Sequence, residues 1–215
     1  MAIAFDVSTS YISGPNSVSH TWNHTCSGSN LILWVDVMNS NLIAISSVTY
    51  NGVPMTFAVA DGLGQRNTLF YLVAPSTGTN AIVVTLASSG YCYTNSASYT
   101  GAKQSGQPDA TTSTFGVTSP QTTTLTTTAD NCWSVLGARD STNGNTTAST
   151  NSVQREASTN GTQFYDNNGS ITPPGSYSMT ITFGVTSGTG MVMASFAPAL
   201  TSTPKSSNFL LMGVG

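Results

Sequence analysis

The chain of 215 residues carries only 13 charged side chains, five Lys or Arg and eight Asp or Glu. That is 6 % of the residues, against about 25 % in an ordinary soluble domain. Five cations cannot neutralise a length of nucleic-acid backbone. No basic patch exists to hold anionic lipid, and long helices laced by Glu–Lys pairs are excluded for the same reason. Runs of 18 apolar residues are also missing, so no helical membrane span is expected. The first residues, Met1-Ala2-Ile3-Ala4-Phe5-Asp6, hold no basic segment and no long apolar run, so a Sec-type signal peptide is not expected there. Three routes fit an extracellular-type surface without such a signal: a processed leader, leaderless export, or release as part of a particle.

Histidine and cysteine are equally scarce. The two histidines, His20 and His24, fall at i and i+4 in an alternating segment with Trp22 between them. On a strand they share a face but stand about 13 Å apart, too far to hold one metal ion without ligands from elsewhere. They are expected as packed, hydrogen-bonded core histidines. The odd cysteine count (Cys26, Cys92, Cys132) leaves at least one thiol unpaired. Buried small side chains are the expectation, with a Cys26–Cys92 or Cys92–Cys132 bridge as the alternative. No nucleophile motif of the GxSxG kind, no paired acids and no EF-hand loop occur. No enzyme, no cofactor and no metal site are therefore expected. Asp166-Asn167-Asn168-Gly169 and residues 140–145 carry enough side-chain oxygens to ligate Ca²⁺, but both also read as ordinary turns. Asn23, Asn145, Asn160 and Asn168 begin Asn-x-Ser/Thr sequons, no more than chance provides in this composition.

What is abundant is hydroxyl and amide: 31 Ser, 34 Thr and 17 Asn. The apolar residues, 39 % of the chain, come in short bursts rich in Val, Thr, Tyr and Phe, which favour strands. Residues 17–25 alternate strictly, as a half-buried strand does. Leu31-Ile32-Leu33-Trp34-Val35-Asp36-Val37 is nearly continuous in apolarity and reads as a central strand, joined to the preceding one by a hairpin at residues 26–30. Asn51-Gly52 between strand-like flanks predicts a type I′ hairpin, with Pro54 placing its second strand at a sheet edge. Residues 68–73 and 80–86 are expected to pair. Cys132-Trp133-Ser134-Val135-Leu136-Gly137-Ala138 is a buried strand, with Trp34 and Trp133 in the core. Residues 140–152 hold no large apolar group and read as a long exposed loop. The expectation is an all-β, antiparallel, two-sheet β-sandwich, jelly-roll-like, of about a dozen strands. Residues 1–16 are expected as an N-terminal arm, 17–200 as one sandwich domain, and 201–215 as a linker and apolar tail.

One stretch carries a recognisable pattern. Val48-Thr49-Tyr50-Asn51-Gly52-Val53-Pro54-Met55-Thr56 leads into Leu69-Phe70-Tyr71-Leu72-Val73-Ala74-Pro75-Ser76-Thr77-Gly78-Thr79-Asn80. An alternating Ile82-Val83-Val84-Thr85 follows, then Ala97-Ser98-Tyr99-Thr100-Gly101-Ala102-Lys103-Gln104. This resembles a β-sandwich module that recurs in bacterial secreted proteins and in bacteriophage structural or tail-associated proteins. The resemblance runs over residues 17–199 and departs at Pro54-Met55 and at Gly101-Ala102-Lys103. It implies a sandwich fold and no particular activity.

From these features the sequence points to a non-enzymatic structural protein of a bacteriophage virion, a capsid decoration or tail/fibre subunit at the virion surface. Its partners would be further copies of itself, as an oligomer or array, and other virion proteins. Neither nucleic acid nor membrane insertion is expected. Phe209, Leu210, Leu211, Met212 and Val214 would anchor the chain to a neighbouring subunit, since an exposed apolar terminus needs cover. The alternative is an extracellular carbohydrate-binding or adhesion module contacting a host-surface glycan. Its aromatic platform would come from Trp22, Tyr91, Tyr93, Tyr165 and Tyr177. A subunit of a bacterial extracellular filament is a third reading. Charges fall mostly at turns and strand ends, with Asp36 the main exception. Strand edges therefore lack the charges that discourage pairing with other chains, which predicts edges covered by neighbours.

Overall fold

The computed structural model describes residues 1–12, 16–39, 42–62, 67–140, 146–157, 162–184 and 188–200. Among the described residues there is no helix. The strands are β1 (Ala4–Ile12), β2 (Ser17–Cys26), β3 (Ile32–Asn39), β4 (Ile45–Tyr50), β5 (Val53–Pro54), β6 (Thr56–Ala60), β7 (Asn67–Val73), β8 (Gly78–Gly90) and β9 (Cys92–Thr100). They continue as β10 (Ala110–Gly116), β11 (Gln121–Thr126), β12 (Trp133–Arg139), β13 (Thr146–Thr150), β14 (Val153–Ala157), β15 (Thr162–Asp166), β16 (Ser176–Phe183) and β17 (Thr189–Phe196).

The all-β antiparallel sandwich is present, and it is present twice. In the first half the pairs are nested: β1 with β9, β2 with β8, β3 with β7, β4 with β5. The nest closes at Asn51-Gly52, whose φ values of 49° and 75° are those a type I′ turn requires. Such a rolled-up hairpin is a jelly roll. It gives an inner sheet β1-β9-β3-β7-β6 and an outer sheet β2-β8-β4-β5, with Pro54 on the outer edge. In the second half β10 pairs with β17, β11 with β16 and β12 with β15. Asn151, with φ 58°, turns the chain between β13 and β14 at the centre of this second nest. The sheets repeat the same order: inner β10-β17-β12-β15-β14, outer β11-β16-β13.

The four sheets stack in layers. One core fills the first sandwich, with Leu33, Val35 and Val37 of β3 against Val48, Ile82 and Val84 of its outer sheet. A third core fills the second sandwich, with Leu136, Met191 and Met193 against Met179, Ile181 and Phe183. Between them lies a seam made by both inner sheets: Ile32, Trp34, Leu69 and Tyr99 against Trp133, Val135, Phe164, Val192 and Phe196. Strands β3, β12, β15 and β17 are consequently buried on both faces. Each large apolar side chain removed from water there contributes about 1.5–3 kcal/mol.

Nesting overturns several local expectations. Residues 26–30 do not close a hairpin; they carry the chain from the outer to the inner sheet. Residues 80–86 pair with β2 and β4, not with residues 68–73, which pair with β3 and β6. In a jelly roll most consecutive strands go to opposite sheets, so proximity in sequence misleads. Residues 4–12 are no arm, because β1 is an edge strand paired along its length with β9. Residues 146–150, read as loop, form β13 on β16. A solvent-facing strand of Thr and Ser at a sheet edge satisfies its backbone without any apolar burst. Short strands of this sort raise the number from the expected dozen to seventeen among the described residues.

Candidate functional site

The chemistry of the chain gathers at the seam. Arg139, at the end of β12, is 1 % exposed and donates from Nε to Asp61 Oδ2 at 2.9 Å, an ion pair that joins the two sandwiches. Its second anchor is the Gly188 carbonyl. Gly190 makes the room: a Cβ there would stand 2.7 Å from Asp61 Oδ2 and 3.1 Å from Arg139 Nε. Further along, Arg155 holds Asp166 with two contacts of 2.7 and 3.0 Å, while the Tyr99 hydroxyl donates to Asp166 from the opposite sheet. Arg155 also lies 4.2 Å from the centre of the Phe5 ring, a cation–π contact across the seam. The Ser8 hydroxyl donates to Glu156 at 2.8 Å. Asp166 is thus fully engaged by these partners and the Asn168 N–H, which leaves no open oxygen for the calcium considered from sequence. Residues 141–145 of the other candidate loop lie outside the described residues.

Asp36 is the unusual member. It is fully buried and faces the seam at Gly137, where a Cβ would come within 2.4 Å of Asp36 Oδ1. Asn95 stands beside it in register, yet neither carboxylate oxygen makes a hydrogen bond of ordinary geometry. Burial pushes its carboxyl well above the usual range; Asn95 and Arg139 oppose that, and Asp61 adds to it.

Two further carboxylates form a device that occurs once per sandwich. Asp6 accepts the Ser27 N–H, the Ser27 hydroxyl and the Ser98 hydroxyl. Asp109 accepts the Thr128 N–H and hydroxyl, the Ala129 N–H and the Ser195 hydroxyl. Each carboxylate fastens the crossover between the second and third strands of its jelly roll to the last strand. Burial alone would raise the Asp109 carboxyl, but the donors from Thr128, Ser195 and Ala129 outweigh it and hold its pKa below the ordinary value.

The histidines sit as expected. His20 and His24 are buried inside the first sandwich. His24 contacts Thr9, Ser96 and Ser98 at 3.1–3.2 Å. Burial lowers its pKa to about 4 against a smaller upward pull from Asp6, so it is neutral near pH 7. All three cysteines are free and buried, so neither bridge forms. Burial raises the Cys92 and Cys132 thiols to about 12, which leaves them protonated and unreactive. Among the described residues no group of three or more His, Cys, Asp or Glu could hold a metal ion, and no helix is long and apolar enough to cross a membrane.

The five aromatic positions do not form one platform. Trp22 is buried and stacked on Tyr11 at 5.1 Å. Tyr165 is buried in the second sandwich. Both present no face to a ligand. Tyr177 is half-buried on the outer sheet of that sandwich, its hydroxyl donating to the Asn151 carbonyl. Tyr93 is half-buried in β9, and only Tyr91 is exposed, at 43 %. The outer faces instead carry neutral hydroxyl pairs, Thr25 with Thr79, Thr122 with Thr180 and Thr124 with Ser178.

At the opposite end of the seam from Arg139, Met1 meets the last described residues of the second sandwich. The Met1 ammonium donates to the Ala199 carbonyl at 3.0 Å. A cavity of about 460 Å³ opens there, lined by Met1, Lys103, Asp130, Ser170, Pro198 and Leu200 among others. Leu200 is 88 % exposed. Phe209, Leu210, Leu211, Met212 and Val214 lie outside the described residues.

Comparison of the chain with protein-family models, curated proteins and solved structures found no match. The architecture by itself defines the class, a pair of jelly rolls stacked through their inner sheets.

Proposed function

We propose that this chain is a non-enzymatic structural subunit of a bacteriophage particle, a capsid decoration or tail/fibre protein exposed at the virion surface. One observation carries the reading, the placement of charge. Among the described residues most ionisable groups serve as fasteners inside and between the sandwiches, and the outer faces carry paired hydroxyls. Such a surface responds little to salt, and the edge strands β6, β10, β11 and β13 carry no charge to discourage pairing with other subunits. Residues 209–215, which lie outside the described residues, are assigned the role of anchor to a neighbouring subunit on their apolar sequence alone.

The test has two arms. Mass spectrometry of purified particles should find this chain in stoichiometric copy number, and its absence from particles would refute the reading. Removal of residues 201–215 should abolish oligomerisation or particle incorporation without lowering the unfolding midpoint. Unchanged assembly would remove the tail from the account. Saturable binding on a glycan array, lost in Tyr91→Ala, would favour the adhesion module instead.

A further inference from the structure

Exposed apolar side chains gather at one end of the first sandwich. Ile12, Val18, Leu42 and Tyr91 are each 43–47 % exposed. Register brings the connections that carry them together. Ile12 is opposite Tyr93, Ser17 is opposite Gly90, and Asn39 is opposite Cys92. Tyr91 thus stands between the start of β2, which carries Val18, and the end of β3, which leads to Leu42. Ile43 packs beneath, since a Cβ on Gly90 would meet its Cδ1 at 2.3 Å. The Asn39 side chain clamps Ile43, accepting its N–H and donating to its carbonyl, both at 3.0 Å. Leu42 is held at φ 57°, a left-handed conformation that strains leucine and that Gly or Asn adopts readily. A strained residue presenting a large apolar side chain to water points to a surface with a use.

Single apolar residues scattered on a surface are ordinary, whereas a contiguous group marks an interaction site. The group is also neutral: residues 7–35, 37–60 and 67–102 contain no Lys, Arg, Asp or Glu. A nucleic acid or a charged peptide would find no counter-charge here. Residues 209–215 match the patch, since five of the seven are Phe, Leu, Met or Val and none is charged. They cannot be seated whole on the patch of their own chain. The Ala199 N–H donates to the Gly101 carbonyl, so the chain leaves the body beside the far end of β9. Tyr91 is ten positions before Gly101, about 33 Å along an extended strand. Residues 201–208 span at most about 26–29 Å when fully extended. A neighbour placed end to end instead presents its patch where the segment leaves the body.

Building on the anchor role given to residues 209–215, we propose that this segment of one copy docks on the apolar end of the next copy's first sandwich. It covers Ile12, Val18, Leu42 and Tyr91 there. Donor and receiver lie at opposite ends of the body, so the contact is head-to-tail. Such a contact propagates, as a closed ring or as an open filament. One contact thereby covers two apolar features, the exposed patch and the apolar segment.

The experiment follows two full-length variants by analytical ultracentrifugation. The receiver variant carries Tyr91→Ser and Leu42→Asn, the latter a residue that accepts the left-handed backbone. The donor variant carries Phe209→Ser and Leu211→Ser. Wild type should form a series of oligomers that grows with concentration. Each variant alone should be monomeric, with its unfolding midpoint little changed. Mixed in equal amounts, they should form a dimer and stop, because one intact segment then meets one intact patch. A labelled peptide of residues 201–215 should bind the donor variant, and bind the receiver variant at least about tenfold more weakly. Val53→Ser, exposed on the β5 edge, should assemble as wild type does. A donor variant that still self-associates would overturn the proposal in favour of like patches pairing. Self-association of the receiver variant would overturn it and leave the anchor role standing, with the segment docked elsewhere. Mixed variants that stay monomeric, or a monomeric wild type, would overturn it as well. A lower midpoint in the donor variant would then place the segment on its own body. Mass spectrometry of particles tests the structural-subunit reading separately from all of these.

Discussion

The two sandwiches share one pairing scheme and differ where they meet. On the first inner sheet the seam positions of β3 are Ile32, Trp34, Asp36 and Met38; the corresponding positions of β12 are Trp133, Val135, Gly137 and Arg139. A large ring stands where the partner has a smaller side chain, and a carboxylate stands where the partner has none. The seam is complementary rather than self-matching. Two like faces would have set Asp36 against another acid. Away from the seam the halves use the same device, an aspartate that fastens a crossover to the final strand. Divergence is concentrated where the halves recognise each other, and sameness is kept where each folds by itself.

The sharpest way to break this comparison is Arg139→Met. It leaves Asp61 buried without its partner, for which a loss of about 3–5 kcal/mol is expected, read from urea unfolding. A loss below about 1 kcal/mol would mean the pair does not hold the seam. Gly137→Ala comes next. Its Cβ meets the Asp36 carboxylate, so an overpacking cost of about 1–3 kcal/mol is expected. Gly175→Ala, where a Cβ has nothing within 4 Å, should stay within about 0.5 kcal/mol.

The repeated device gives a matched pair. Asp6→Asn and Asp109→Asn should cost similar amounts, about 1–2 kcal/mol each, for charge-assisted bonds at half-exposed sites. For Asp109 the pH dependence is fixed by its lowered pKa. Its contribution is complete above the unfolded-chain value of about 3.9 and is lost as pH falls through the lower folded value. Asp109→Asn should remove that part of the acid sensitivity, seen as a flatter midpoint against pH below pH 4. The smallest effect is expected for Tyr91→Ala, within about 0.5 kcal/mol, because the side chain is exposed in the turn between β8 and β9.

Fold class was legible because strand bursts, the Asn51-Gly52 turn and the scarcity of charge are all local or compositional. Pairing was not, since nesting joins β1 to β9 and β10 to β17 across most of each half. One trace of the repeat stands in the sequence. Ala97-Ser98-Tyr99-Thr100-Gly101-Ala102 and Ala194-Ser195-Phe196-Ala197-Pro198-Ala199 occupy equivalent final strands. The rest of the repeat is hidden because hydroxyl-rich strands satisfy the same pairing with many sequences. Asp36 was visible as a lone acid in an apolar run. Its surroundings were not, because Asn95 and Gly137 reach it from two other strands. Trp22 and Tyr165 show the converse limit: an aromatic at an alternating position carries no mark of which face is covered.

If the seam is what makes one body of two jelly rolls, they must unfold together. Scanning calorimetry of the full chain tests this directly. The account predicts one transition whose calorimetric and van't Hoff enthalpies agree. Two resolved transitions, or a calorimetric enthalpy near twice the van't Hoff value, would contradict it and make the halves independent domains.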